Sequence, residues 1–330
     1  MKLLTALVVA AAVAGLAVVA SAVPALRGAA AIGGMYAAIA VFLIGVARRV
    51  FRWARAPVPF RVPTTAGQQR SLPWIRASRL DNPSSTAGAI GRMALEILLF
   101  RSLFRNTRAE MRTGPRLTFG EDKYLWLAAI AFHYSFLVIL LRHLRFFLEP
   151  VPSVVNAISA ADGFFQVGVP PVYLTDVAVL LALGYLLLRR LRDAPLRYIS
   201  LFTDYFALFL LVGLTGSGIL MRYFVRQDVV AVKQLALGLA TFSPVVPASA
   251  GALFFVHLAF LSTLLAYFPF SKLMHMAGIF LSPTRNLANT NRMKRHVNPW
   301  DYPVKVHTYE EWEDEFRDKL KAAGLPIEKA

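Results

Sequence analysis

The chain has 330 residues, 57% hydrophobic composition, a mean hydropathy of +0.53 and a formal charge of +17. That hydropathy excludes an ordinary soluble domain of this size, and several apolar runs reach the ~20 residues needed to cross a ~30 Å hydrocarbon core. The charge does not point to nucleic acid: no recognition motif accompanies it, and the basic residues crowd into a few loops between apolar runs, as in the cytoplasmic loops of membrane proteins.

Six apolar runs are candidate spans. In chain order they are Leu3–Leu26, Met35–Phe51, Tyr124–Leu148, Val172–Leu188, Ile199–Met221 and Ala250–Phe270, which makes the fold an all-α integral membrane protein. The first run also has features of a signal peptide, with Met1–Lys2 ahead of an apolar core and Ser21–Val23 as small residues near its end. Its apolar stretch outruns the usual signal core and favours a retained helix.

Loop charge sets the orientation. Arg48, Arg49, Arg52, Arg55, Arg61, Arg70, Arg76 and Arg79 precede the first acid of their loop, Asp81, and the stretch from Arg101 to Lys123 is again basic. Between Glu149 and Pro171 there is no Lys or Arg, whereas Arg189, Arg190, Arg192 and Arg197 fill the next connection. This alternation predicts cytoplasmic basic loops and cytoplasmic termini, with Arg226 and Lys233 a mild exception. Residues Ala87–Arg112 mix Leu, Ile and Phe with five arginines, which suits an amphipathic segment lying on the cytoplasmic surface. Ser84, Ser85 and Thr86 are candidate caps for its start. The chain thus divides into two N-terminal spans (1–51), a basic loop (52–123), a membrane domain (124–281) and a polar tail (282–330).

In the tail, Thr308 and Glu311 have capping-box spacing. Tyr309, Trp312, Phe316 and Leu320 follow on one face, and Gly324 and Pro326 end the helix. Such a helix needs a surface to cover its apolar stripe: this chain's own loops or, the favoured one, a soluble partner subunit. Cysteine is absent. The chain therefore makes no disulfide, no thiolate-held iron–sulfur cluster and no covalent c-type haem attachment.

Four of the six histidines sit in or at the end of apolar runs, in two pairs: His133 and His143, then His257 and His275. Ionisable residues at membrane depth are costly and usually functional, and imidazole is a common axial ligand of haem iron. Two histidines on each of two helices is the number two bis-histidine haems need. Span three runs outward and span six inward, which pairs His133 with His275 near the cytoplasm and His143 with His257 near the exterior. Ten residues of helix cover ~15 Å and eighteen cover ~27 Å, a mismatch that either tilted haem planes or a kink at Pro269 would absorb.

The rival readings are a proton relay or transition-metal path through the same histidines, and a passive anchor. The relay asks for acidic partners at membrane depth, where Asp176 and Asp204 are the main candidates and neither shares a span with a histidine. His296 and His307 read as surface residues. Arg142 and Arg145 flank His143 and suit either haem propionates or a quinol head group, or snorkelling to water. Lys272, Arg222 and Arg285 carry the same double reading.

The His-x9-His helix, the later His-x17-His segment and ProPheSerLysLeuMetHis at 269–275 resemble the gamma subunit of respiratory nitrate reductases, over about Tyr124 to Arg295. The resemblance implies a four- to five-helix cytochrome b bundle holding two haems b, with His133, His143, His257 and His275 as ligands and quinol oxidised near the outer haem. The tail stretches SerProThrArgAsnLeuAlaAsn, LysArgHisValAsnProTrp and ValHisThrTyrGluGluTrpGluAspGluPhe look like the M-subunit family of the Dsr membrane complexes of dissimilatory sulfur metabolism. That likeness implies exchange with menaquinone and menaquinol. It also implies a cytoplasmic iron–sulfur partner related to heterodisulfide reductase, alongside further Dsr complex subunits. Membrane subunits of other Hdr-like complexes are close competitors.

Overall fold

The computed structural model describes residues 1–57, 67–105, 107–114, 116–168, 170–282, 286–293 and 303–328. Arg61, Arg285, His296 and the tail motif at 294–300 lie outside them.

Five helices are long and apolar enough to cross a membrane: α1 (Lys2–Ala22), α2 (Pro24–Ala54), then Lys123–Phe146, Phe202–Tyr223 and Ala252–Phe270. The second is one helix of 31 residues where the sequence suggested a short run from Met35. Pro24 starts it, its fixed φ suiting a first turn. The small residues around Gly28–Gly34 then stay helical through a single π turn at Ala29–Gly33 instead of breaking.

The loop begins with α3 (Thr86–Leu99), capped by Ser85, whose hydroxyl accepts from Gly88 N at 3.2 Å. The expected amphipathic segment stops there. Phe100 takes a left-handed conformation (φ 48), one short turn follows, and residues to Arg112 leave the helix altogether. Strands β1 (Thr107–Arg112) and β2 (Arg116–Glu121) pair antiparallel, Thr107 opposite Glu121, around a turn at Gly114 (φ 87). Only the membrane part is purely helical.

The membrane domain comprises α4 (Lys123–His143), α5 (Ser153–Asp162), α6 (Leu174–Arg192), α7 (Phe202–Tyr223), α8 (Val229–Ala240) and α9 (Ala252–Tyr267). The fourth expected span, Val172–Leu188, is α6. Its 19 residues are long enough to cross, but it opens with Asp176 and ends in Arg189, Arg190 and Arg192. The tail carries α10 (Tyr309–Ala322), with the Thr308–Glu311 capping box formed.

Packing runs in sequence across the bundle. Helix α2 lies on α9, α9 on α1 and α7, α7 on α6, and α6 on α4. Ala6 and Ala10 of α1, Val179 and Leu183 of α6, Leu210 and Leu214 of α7, and Phe260 and Leu264 of α9 form the main core. Small residues on α1 allow the close approach, since helix association in lipid depends on packing rather than on hydrophobicity. The outer faces stay apolar, as Leu4, Leu7 and Leu16 of α1 and Leu137 and Leu140 of α4 show. Helices α4 and α9 do not pack extensively on each other.

Candidate functional site

Helix α4 carries His133 and His143, α9 carries His257 and the segment just beyond α9 carries His275, and the rings reach across. His133 and His275 stand 6.0 Å apart between ring centroids with their planes at 80°. His143 and His257 stand 6.5 Å apart with planes at 7°. These are the two pairs that antiparallel spans require.

Each ring is also oriented. Nδ1 of His133 is 2.7 Å from the Ala129 carbonyl, that of His143 2.7 Å from Ile139 O, and that of His275 2.9 Å from Lys272 O. A carbonyl only accepts, so these Nδ1 atoms carry the proton and Nε2 keeps the lone pair. His257 Nδ1 lies 3.0 Å from Ser217 Oγ on α7. The Ser217 hydroxyl itself donates to Leu214 O at 3.0 Å, which leaves its oxygen to accept from His257. Binding the non-ligating nitrogen in this way is how metal-ligating histidines are usually held.

The chain breaks after α9 to bring His275 into place. A 3₁₀ turn at Phe268–Phe270 leads to Ser271 in an extended conformation, then to a second turn at Lys272–Met274. Helix α2 supports this break. Arg49 donates to Pro269 O at 2.6 Å and Ser271 O at 3.0 Å, and Gly45 faces Pro269 so closely that a Cβ there would come within 2.6 Å. Lys272 meets Asp204 at 2.7 Å. On the α4 side, Phe100 stands edge-on to His133 at 4.9 Å. Trp126 and Tyr134 tie α4 to the end of α3 through Leu99 O and Leu98 O, each at 2.8 Å.

At the other end Arg142 is held by carboxylates. Its Nε lies 3.1 Å from Asp162 and its Nη2 2.9 Å from Asp176. The guanidinium stacks on Tyr173 at 3.7 Å, where Arg222 also stacks at 3.9 Å. Tyr223 donates to Asp176 at 2.8 Å, and Thr175 donates to Asp162 from both N and Oγ. Arg142, Asp162 and Asp176 are all buried. Arg145 is bonded to Ser159 through Nη2, while its Nε, like that of Arg222, is buried with no hydrogen-bond partner among the described residues.

The spacing suits a haem. With metal–nitrogen bonds of about 2 Å on each side and about 1 Å from each nitrogen to its ring centre, axial imidazoles stand roughly 6 to 6.5 Å apart. Among the described residues, no group of three or more His, Cys, Asp or Glu is placed to hold a bare metal ion. Two imidazoles alone suit an iron that brings its remaining ligands with it.

The family model described as nitrate reductase gamma subunit matches residues 92–295. The chain belongs to that family. The matched stretch includes all four paired histidines and the break at Pro269, while α1, α2 and α10 fall outside it. Two curated relatives are each named "Hdr-like menaquinol oxidoreductase cytochrome b-like subunit". They come from Archaeoglobus fulgidus, at 48% identity, and Archaeoglobus profundus, at 45%. Each aligns over 273 residues, 81% of this chain and 81% of its own length. Apolar helices and family together make the chain a multi-pass membrane protein.

Sequence reading missed several residues of the site in this gamma-type bundle. Asp176 and Asp204 do reach the histidine neighbourhoods, from other helices, by pairing with Arg142 and Lys272. Asp162, Tyr173 and Ser217 gave no signal, because a lone Asp in a loop or a Ser in an apolar run has no pattern of its own. Lys272 and Arg222 are engaged by the protein, Arg222 also donating to Pro171 O at 3.3 Å. His307 is a surface residue beside Glu315.

Proposed function

We propose that the chain is the membrane cytochrome b subunit of a quinone-linked oxidoreductase complex. The observation that carries this is the pair of facing imidazole couples, each ring fixed through Nδ1 and each couple at iron-bridging separation. His133 and His275 are the ligands of the inner haem b, and His143 and His257 those of the outer one. Two haems so held supply one-electron carriers at two depths. The protein's part is axial ligation, burial and local charge.

Menaquinol is the quinol the relatives' names support, and the outer end is where it exchanges electrons. There Arg142 acts as a strut between Asp162 and Asp176. The Nε atoms of Arg145 and Arg222, buried and without a hydrogen-bond partner among the described residues, are the donors left for a propionate or a quinone oxygen. At the inner end electrons pass to or from a cytoplasmic iron–sulfur subunit of heterodisulfide reductase type. A cysteine-free chain cannot hold such a cluster by thiolates. Helix α10 is the partner-docking element: Tyr309, Trp312 and Phe316 form a run of neighbouring rings at 5.7 and 5.9 Å. The termini face the cytoplasm from the inner membrane, and dissimilatory sulfur metabolism with further Dsr-type subunits is the setting the tail motifs favour.

A proton or metal path is less well supported, since Asp176 and Asp204 are each neutralised by a basic side chain. A reduced-minus-oxidised spectrum with a pyridine haemochromogen assay tests the proposal. Two haems b per chain are expected, and their absence from a folded, purified protein overturns it.

A further inference from the structure

Of the four paired histidines, three are held by carbonyls of their own segment and one is not. His133 and His143 bond the carbonyl four residues back and His275 the one three back. His257 sits in the second turn of α9 and takes its Nδ1 contact from α7, through Ser217 Oγ at 3.0 Å. Close approach of the two helices makes that contact. At Gly213 a Cβ would lie 2.5 Å from the Phe260 ring, and at Gly218 a Cβ would lie 3.3 Å from His257 Cε1. Glycines at these two α7 positions let α9 settle until Ser217 meets the imidazole. Ser217 is itself buried and anchored, its hydroxyl directed to Leu214 O.

We infer that Ser217 is the positioning residue of the outer haem: it fixes the His257 ring from a neighbouring helix and holds the potential of that haem down. This rests on the two-haem reading above. A hydrogen bond accepted from Nδ1–H increases the electron donation of the imidazole through Nε2, and a stronger donor favours the oxidised iron. Removing the acceptor therefore raises the potential of one haem and not the other. The Leu214 carbonyl, to which the Ser217 hydroxyl is directed, is the competing acceptor. If it alone holds the ring, Ser217 is dispensable.

The test compares Ser217→Ala and Ser217→Thr with the unmodified protein in the purified complex. Haem content, a potentiometric titration of both b haems and the low-spin electron paramagnetic resonance of the oxidised form are the readouts. Ser217→Ala should retain the inner haem unchanged and shift the outer haem to higher potential, with a changed low-spin signal or partial loss of that haem. Ser217→Thr keeps the γ-hydroxyl and should restore the original potential. Unaltered potentials in Ser217→Ala overturn the inference, as does an equal shift of both haems, which would mark a general packing effect. Absence of haem from the unmodified protein would instead refute the functional reading itself.

Discussion

The two ends of the bundle hold similar imidazole pairs by different means. Around His143 and His257 the support is local and buried. Arg142 adjoins His143 in α4, pairs with Asp162 and Asp176, and shares the Tyr173 ring with Arg222. Around His133 and His275 the support comes from afar: Arg49 and Gly45 of α2 brace a broken helix, and Phe100 arrives from the basic loop. A histidine inside a continuous helix is placed by its span, whereas one beyond a helix break has to be placed by something else. That gives α2 a structural role at the His275 end, although it lies outside the stretch that matches the family.

Under the two-haem proposal, removing one ring of a pair is the strongest way to test whether the ends are independent. His143→Ala should lose about one haem of two, retaining the spectrum of the other, and His275→Ala should do the converse; loss of both from either variant would mean the ends fold as one unit. The next largest effect is at the buried charges. Arg142→Ala strands two carboxylates and should cost about 3–5 kcal/mol, seen as a lower melting temperature of the detergent-solubilised protein by circular dichroism. An unchanged melting temperature would show that the network bears little of the stability at that end. Gly45→Val is the counterpart at the broken helix. Its side chain has to displace Pro269, at about 1–3 kcal/mol, and should perturb the spectrum of the haem proposed between His133 and His275 while leaving that of the other proposed haem unchanged.

Much of this layout was legible in the sequence, and the difference between the ends explains what was not. Depth within an apolar run places His133, His143 and His257, and antiparallel spans then pair them, so which rings face one another was legible from spacing. Pro269 marked where the helix had to bend. Nothing local pointed to Arg49 as the group that holds the bend, because Arg49 reads as one more basic residue at a span end. The Arg142 network was hidden for a similar reason: Asp162 and Tyr173 come from a connection whose contacts are set by tertiary packing. The amphipathic segment misled beyond Leu99, since LeuPheArgSerLeuPhe continues the apolar pattern while Phe100 leaves right-handed helical space.

The smallest expected effect lies in that same loop, where Asp81 gathers basic residues of α3 and of the turn after Phe100, the ring that stands against His133. It accepts from Ser78 at 3.2 Å, Arg101 at 3.1 Å and Arg105, and its carbonyl takes Arg92 at 2.6 Å. Burial raises its pKa, but the Arg105 hydrogen bond and the charges of Arg101 and Arg105 outweigh that and hold it below the ordinary 3.8. A folded value under the unfolded one means the stabilisation is present above about pH 4 and is lost as pH falls through the folded value. Because Arg105 is half exposed, it is worth about 1 kcal/mol or less. Hydrogen exchange of amides 92–105 should be steady from pH 7 to pH 5 and quicken, relative to the intrinsic rate, only below about pH 4. In Asp81→Asn the same amides should be less protected at pH 7 and lose that acid dependence. If wild type and variant instead share one profile, the α3 junction depends on the buried Asn82, Asn289 and Gln69 contacts, and charge has no part in setting Phe100 against His133.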